Sequence, residues 1–325
     1  MGTILVTGGA GFIGSHLVER LLADGSRVVV LDNFDPFYPE DVKRANLAAV
    51  TDRDGFRLVE GDIRDPRALD AALSADAPVD AVVHLAARAG VRPSIAEPAL
   101  YASVNLEGTV AVLEACRRHE VSTVLFGSSS SVYGNNAKVP FSEDDPVDRP
   151  ISPYAATKRG GELLAHTYHH LFGLRVACLR FFTVFGPRQR PDLAIHAFAS
   201  RMAEGRPLTI FGDGSSGRDY TYVDDIVEGI VRALHRTSGF HVWNLGGSHP
   251  VLLRDLVARL AKGLSVTPRL EHAPMPPGDV DRTWADISRA RRELGWAPTV
   301  EFDEGIDRFL SWFRGERARG AARAS

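Results

Sequence analysis

The chain has 325 residues, 44% apolar and 24% charged, a globular composition long enough for one large or two modest domains. Its net charge of −3 offers no basic field for nucleic acid, so no nucleic-acid partner is expected. No apolar run approaches the ~20 residues of a membrane span, so no membrane partner is expected either.

In chain order, short β-branched runs alternate with helical patterns. Strands are expected over 3–7, 27–31, 56–60, 79–85, 121–128 and 174–180. These runs are continuously apolar, as strands buried on both faces are. Helices are expected over 11–23, where Ile13, Leu17, Val18, Leu21 and Leu22 share a face, and over 66–73, 98–118 and 153–171. Strands separated by helices predict an α/β fold, a Rossmann-type doubly wound parallel sheet with right-handed crossovers. After Phe181 proline and glycine become denser, with a loop expected over 212–218 and helices over 251–262, 288–294 and 304–313. This part reads as a second, smaller α/β substrate domain over 181–220 and 248–313. Residues 1–180 and about 221–247 form the first domain, and Arg314 to Ser325 is expected to fray. Cys116 and Cys178 each lie in an apolar stretch and are expected to be buried, reduced thiols. That usage, and a start at Ile4-Leu5-Val6 without signal-peptide features, point to the cytoplasm.

Gly8, Gly11 and Gly14 follow the first strand at the spacing Gly-x-x-Gly-x-x-Gly. Gly8 allows a tight turn, Gly11 lets a pyrophosphate approach the backbone, and Gly14 lets helix and strand pack closely. The helix start, with Phe12 and Ile13, supplies amide donors for the phosphates. In this strand–turn–helix setting the motif predicts a dinucleotide site. Asp32 ends the second strand. A carboxylate there can accept from both adenosine ribose hydroxyls and repels a 2′-phosphate, which favours NAD over NADP; Asn33 assists. Asp62 and Ile63 follow the third strand, where an adenine is flanked, and a helix N-cap is an equally compatible role for Asp62. Leu85, Ala86 and Ala87 close the fourth strand and leave room for the nicotinamide half.

Tyr154 and Lys158 stand at i and i+4 on a helix, so phenol and ammonium share a face. The fifth strand ends in Gly127-Ser128-Ser129-Ser130-Ser131-Val132-Tyr133-Gly134, at the carboxyl edge where open α/β sheets bind ligands. A tyrosine of ordinary pKa, ~10, is a poor base at neutral pH. A neighbouring ammonium and a positive nicotinamide are expected to favour its phenolate.

With these motifs the chain resembles the extended short-chain dehydrogenase/reductase family, in its sugar-nucleotide epimerase and dehydratase branch, from Gly8 to about Asp286. The resemblance implies a catalytic trio of Ser129, Tyr154 and Lys158. It also implies a tightly bound NAD, regenerated at each turnover, with Asn105 among the residues that bind it, and no metal. In that scheme Tyr154 takes the hydroxyl proton, Ser129 steadies the sugar oxygen and Lys158 binds the nicotinamide ribose.

Members of this branch begin with oxidation and then diverge. Relatives that dehydrate carry Asp-Glu at the positions matching Ser130 and Ser131, and relatives that decarboxylate UDP-glucuronate carry Glu at Ser131. Two serines supply neither the acid nor the base of an elimination. The resemblance therefore implies 4-epimerisation of a UDP-sugar. Asp32-Asn33-Phe34-Asp35, Ala89-Gly90-Val91-Arg92, Ser128 to Gly134 and Arg180 to Asp192 look like the matching segments of UDP-glucuronate 4-epimerases, which implies interconversion of UDP-glucuronate and UDP-galacturonate. Arg190, with Thr183, is expected to grip the C6 carboxylate, since a guanidinium fork matches it. A diphosphate contact and a plain surface position stay open for Arg190. Arg92 is a second candidate, beside a structural loop pair. Thr209 and Phe211 resemble the uracil strand, Arg218 the phosphate-binding turn, and Asp279 a further substrate contact. Pro274-Met275-Pro276-Pro277 stands where many relatives place another phosphate-binding Arg, which leaves Arg282 as a substitute to test. Relatives form homodimers through a four-helix bundle built from helices matching 101–118 and 152–171. Leu106, Val110, Leu113, Leu163 and Leu164 serve that face or the core. The alternatives are a 4-epimerase of UDP-glucose or UDP-N-acetylglucosamine, and a non-catalytic NAD-binding scaffold.

Overall fold

The structure, a computed structural model, describes residues 2–74, 77–274, 280 and 282–324. In chain order the first half comprises β1 (Thr3–Thr7), α1 (Phe12–Ala23), β2 (Arg27–Asp32), α2 (Glu40–Leu47), β3 (Phe56–Glu60), α3 (Pro66–Leu73) and β4 (Val79–His84). It continues with α4 (Val91–Ala96), α5 (Pro98–Ala102), a π turn at Ser103–Glu107, α6 (Gly108–Arg118), β5 (Thr123–Ser129), α7 (Pro153–Phe172) and β6 (Arg175–Phe181). Then come β7 (Thr183–Phe185), α8 (Ala194–Ala203), β8 (Leu208–Phe211), β9 (Gly217–Tyr222), α9 (Val223–Arg236) and β10 (Phe240–Leu245). The chain ends with β11 (Pro250–Leu252), α10 (Leu253–Leu264), β12 (Leu270–Ala273), α11 (Ser288–Leu294) and α12 (Phe302–Ala324).

The central sheet has the order β10-β6-β5-β4-β1-β2-β3, parallel throughout. All residues of β1 and β5 are buried, which explains their unbroken apolar reading. Alternate side chains feed two cores: Ile4 and Val6 enter one, Leu5 the other. Strand order reverses between β1 and β4, and that switch point opens a crevice at their carboxyl ends. Smaller sheets, β11-β9-β7 and β12-β8, belong to the later part of the chain. Asp219 of β9 ties that part together. Its buried carboxylate accepts the backbone N–H groups of Gly247, Ser248 and Ala285. Burial pushes this carboxyl up to about 6, against the pull of those amides.

Several elements differ from the sequence reading, each for a local reason. The helix expected over 98–118 is interrupted by the π turn, where Asn105 turns its amide to the Arg88 carbonyl (3.0 Å) and the Thr157 hydroxyl (3.0 Å). The loop expected over 212–218 gives way to β9 at Gly217, because Gly217 to Asp219 pairs with β11. The tail expected to fray from Arg314 instead continues α12 to Ala324. Arg314 donates to the Gly263 carbonyl and Arg317 lies 3.6 Å from Glu204, so the helix has partners along its flank. Cys116 and Cys178 are buried thiols. Leu113 belongs to the core, whereas Leu163 on α7 is 53% exposed. Among the described residues no helix is long and apolar enough to cross a membrane.

Beneath the crevice lies a buried ion pair. Glu162 of α7 accepts from Arg180 of β6 (2.8 and 2.9 Å), from the Ser128 hydroxyl of β5 (2.6 Å) and from Arg159 (2.9 Å). Arg180 also donates to the Tyr133 hydroxyl (2.9 Å), which in turn donates to Asn244 of β10 (2.6 Å). Removing one partner strands the other charge out of water. Glu162→Gln should cost about 3–5 kcal/mol of stability, read as a fall in unfolding midpoint; a loss under about 1 kcal/mol would mean that the pair behaves like a surface bridge.

Candidate active site

A cavity of about 480 Å³ occupies the crevice. Gly8 turns the chain out of β1 with φ +72°, and its N–H donates to the Leu31 carbonyl at 2.8 Å. A Cβ on Gly14 would lie 2.2 Å from the Gly8 carbonyl oxygen, so helix and turn meet there without room for a side chain. Gly11 differs. Its φ is ordinary, and a Cβ there would meet only the Gly8 oxygen, at 3.1 Å. What Gly11 keeps clear is the space in front of α1, whose first turn has no side-chain cap. Uncapped amides at a helix start facing a clear space fit a pyrophosphate.

Asp32 lies on the same wall. Its oxygens accept from Phe34 N–H (2.9 Å) and Ala10 N–H (3.0 Å), which fixes the carboxylate while leaving lone pairs for ribose hydroxyls. Burial raises its pKa, and the Phe34 amide and the nearby Lys43 charge pull it back. Asp62 does not cap α3; Asp65 does, accepting from Arg67 N–H. Asp62 instead binds Arg64 (2.7 Å) and Asn33 (3.0 Å), and Arg64 holds its carboxyl down at about 2. Ile63, Leu85, Ala86 and Ala87 also line the cavity. These walls fit a dinucleotide with an unphosphorylated ribose.

The same cavity holds Ser129, Ser130, Ser131, Tyr154, Lys158, Thr183 and Arg190. Ser152 caps α7 by accepting from Ala155 N–H (3.1 Å), so Tyr154 sits in its first turn, and its ring meets Tyr101 edge-on at 6.3 Å. Burial raises the phenol's pKa; the neighbouring Ser129 hydroxyl and the charge of Arg190 lower it. The Lys158 ammonium donates to the Gly127 carbonyl (2.7 Å) and stands over the Phe126 ring. Arg190 binds Asp192 through Nε (2.9 Å) and Nη2 (2.8 Å) and is 17% exposed, which places it inside the cleft and not on the surface.

Not every expected residue lines this cavity. Asn105 stands behind the wall, holding both the N–H and the carbonyl of Arg88. Phe211 lines a second cavity of about 680 Å³, together with Asn135, Asn136 and Arg282. Arg92 lies over the Phe211 ring at 4.4 Å. Thr209 on β8 and Arg218 on β9, whose guanidinium donates to the Gly217 carbonyl (3.1 Å), line neither cavity among the described residues. Asp279 lies outside the described residues. Sequence reasoning missed Phe37, Tyr38, Lys43 and Arg88, which line the first cavity.

Burial brings the Lys158 amine down to about 8, with Glu162 pulling it back up. Its folded value lies below the unfolded 10.5, so folding favours the neutral amine. The buried ammonium therefore subtracts stability below pH 8, and the deficit is recovered as pH rises from 8 to 10.5. In the cofactor-free protein, the stability difference between wild type and Lys158→Met should climb across that window. A flat difference in pH-dependent denaturant unfolding would contradict the assignment.

The model of the NAD dependent epimerase/dehydratase family matches residues 4–246. The UDP-glucuronate 4-epimerase of Thermodesulfobacterium geofontis is 40% identical, over 96% of this chain and 96% of its own length. UDP-glucuronate 4-epimerase 3 of Arabidopsis thaliana is 42% identical over 99% of this chain and 79% of its own. The crystal structure of the UDP-glucuronic acid 4-epimerase of Bacillus cereus, in complex with UDP-glucuronic acid and NAD, superposes with a TM-score of 0.90 at 37% identity, covering 97% of this chain and 99% of that one. The family model and relatives about 40% identical match over most of the length, and the chain belongs to the NAD dependent epimerase/dehydratase family.

Proposed function

We propose that the protein is an NAD-dependent UDP-sugar 4-epimerase that interconverts UDP-glucuronate and UDP-galacturonate. One observation carries the choice of sugar: Arg190 and Thr183 stand in the same cavity as Tyr154 and Ser129, beside the neutral pair Ser130 and Ser131. A cation at the reacting end suits a sugar that is itself an anion. The similar enzymes of Thermodesulfobacterium geofontis and Bacillus cereus carry the same activity in their names.

NAD, when bound, accepts a hydride from the sugar's C4 and returns it, and its positive ring adds to the pull of Arg190 on the phenol. Tyr154 takes the C4 hydroxyl proton and later gives it back. Ser129 holds the C4 oxygen through both steps. Lys158, anchored by the Gly127 carbonyl, keeps an ammonium at the nicotinamide ribose. After oxidation the 4-keto sugar turns its other face to the cofactor. That intermediate is a β-keto acid and loses CO₂ when the carboxylate aligns with the ketone; a grip from Arg190 and Thr183 suppresses the alignment. Neither Ser130 nor Ser131 can act as the acid or base of a dehydration at neutral pH. Arg282, beside Phe211 in the second cavity, supplies a cation for the diphosphate. Leu163 and Leu171 stand exposed on α7, at 53% and 61%, which supports a homodimer through α6 and α7.

Purified protein given UDP-glucuronate without added NAD should form UDP-galacturonate, seen by NMR, and UDP-glucose or UDP-N-acetylglucosamine should stay unchanged. Conversion of a neutral sugar alone would overturn the choice of substrate. Tyr154→Phe should retain NAD yet lose about 10²–10⁴-fold in turnover; full turnover would remove the phenol from the mechanism. Arg190→Ala should either collapse turnover or raise the decarboxylated pentose product. An unchanged rate and product ratio would free Arg190 from the carboxylate.

A further inference from the structure

The segment between β2 and α2 is a chain of side-chain turns. Asp32 accepts Phe34 N–H (2.9 Å), Asn33 accepts Asp35 N–H (3.0 Å), and Asp35 accepts Phe37 N–H (2.9 Å). Each turn fixes the residue two places on, so the strap is held continuously from Asp32 to Phe37. Its far end reaches the reacting half of the cavity. There the Phe37 ring has two guanidinium neighbours, Arg88 at 4.9 Å and Arg190 at 5.2 Å from its centroid. Arg88 is secured from the side by Asp35 (2.5 Å) and Glu97 (3.2 Å). Among the described residues Arg190 has the carboxylate of Asp192 alone, on one edge of its fork.

A guanidinium bound along one edge can still swing about that edge. A ring beneath the guanidinium carbon restrains that swing, because the face of an aromatic ring is electronegative and guanidinium is weakly hydrated. The same ring meets two like charges, each with its own carboxylate, Asp35 for Arg88 and Asp192 for Arg190. We propose that Phe37 is a positioning residue: its ring sets the plane of Arg190, so that the guanidinium presents its open edge to the substrate carboxylate beside Tyr154. The strap thereby joins the end of the site that reads the cofactor ribose, Asp32, to the end that holds the sugar. This inference rests on the proposed UDP-glucuronate activity.

The test uses NAD-loaded protein and calorimetric binding of UDP-glucuronate, with UDP as the control ligand. Phe37→Leu should weaken UDP-glucuronate about 3- to 30-fold, the range of a partly desolvated cation–ring contact, and leave UDP affinity and NAD content unchanged. It should also raise the pentose fraction at turnover. Phe37→Tyr, which keeps the ring, should restore all of these. In an Arg190→Ala background Phe37→Leu should have no further effect. Equal weakening of UDP and UDP-glucuronate, loss of NAD, failure of Phe37→Tyr to rescue, or an additive double variant would each overturn the proposal by assigning Phe37 a general structural role. If wild type binds UDP-glucuronate no better than UDP and does not turn it over, the substrate assignment itself fails and takes this inference with it. An active wild type with an unaffected Phe37→Leu would sink the positioning role alone.

Discussion

A single buried carboxylate sets the geometry on which the site depends. Glu162 lies one helical turn beyond Lys158 and takes the hydroxyl of Ser128, the residue before Ser129, along with the guanidinium of Arg180. A charge in this position has no water to fall back on, and its hydrogen bonds must be satisfied by side chains from fixed directions. That requirement binds β5, β6 and α7 into one arrangement. Two of the expected catalytic residues are thus neighbours, along the chain, of groups tied to the same carboxylate. A shift of α7 that moved Lys158 relative to Ser129 would have to break this cluster. An apolar replacement of similar volume could pack equally well, but it would not hold three elements in one register. Arg180 then carries the constraint on through Tyr133 to Asn244, whose amide donates to the Phe141 carbonyl (2.9 Å).

Much of this was legible in the sequence, because short-range rules govern those parts. A strand buried on both faces reads as a mainly apolar run, so β1, β2, β4, β5 and β6 stand out within a residue or two, while the edge strand β3, half-exposed, is found from its alternation with helices. The glycine turn follows from backbone sterics alone: the 2.2 Å approach at Gly14 permits no side chain. Tyr154 and Lys158 share a face because helical period places them so. Other features depend on contacts that no spacing encodes. Phe37 and Arg88 are separated by most of the first half of the sheet, and nothing local announces that a ring and a guanidinium will meet. Helical period gives the shared face of Tyr154 and Lys158 but not the direction of a flexible side chain, and the contact of Lys158 with the Gly127 carbonyl is one that spacing does not encode. The tail beyond Arg314 looked polar enough to fray, and only the three-dimensional placement of Gly263 and Glu204 shows what it rests against.

Charged groups of both signs line the cavity: Asp32 with Lys43 nearby, Asp62 held by Arg64, and Arg88 and Arg190 with Asp35 and Asp192 as their partners. The phosphate-facing region presents backbone amides at the start of α1. A neutral ribose that donates hydrogen bonds suits Asp32, and an anion suits Arg190. The Asp32 carboxylate disfavours a cofactor whose 2′-phosphate would sit against it.

Under the proposed function the site must meet opposed demands: it must hold an anion by its carboxylate and still let the oxidised ring turn over. Arg190 as placed meets both. Its Nε and Nη2 are taken by Asp192, so the substrate is offered the remaining edge of the fork and a charge already partly balanced. A fully free guanidinium would grip both carboxylate oxygens and oppose rotation. A neutral site would leave the carboxylate unsteered and open the way to loss of CO₂. The other groups at this end, Ser129, Ser131 and Thr183, carry hydroxyls, which rotate to follow a moving acceptor. A moderated cation on a fixed plane, surrounded by adaptable hydroxyls, restrains direction without freezing position, and direction is what separates epimerisation from decarboxylation.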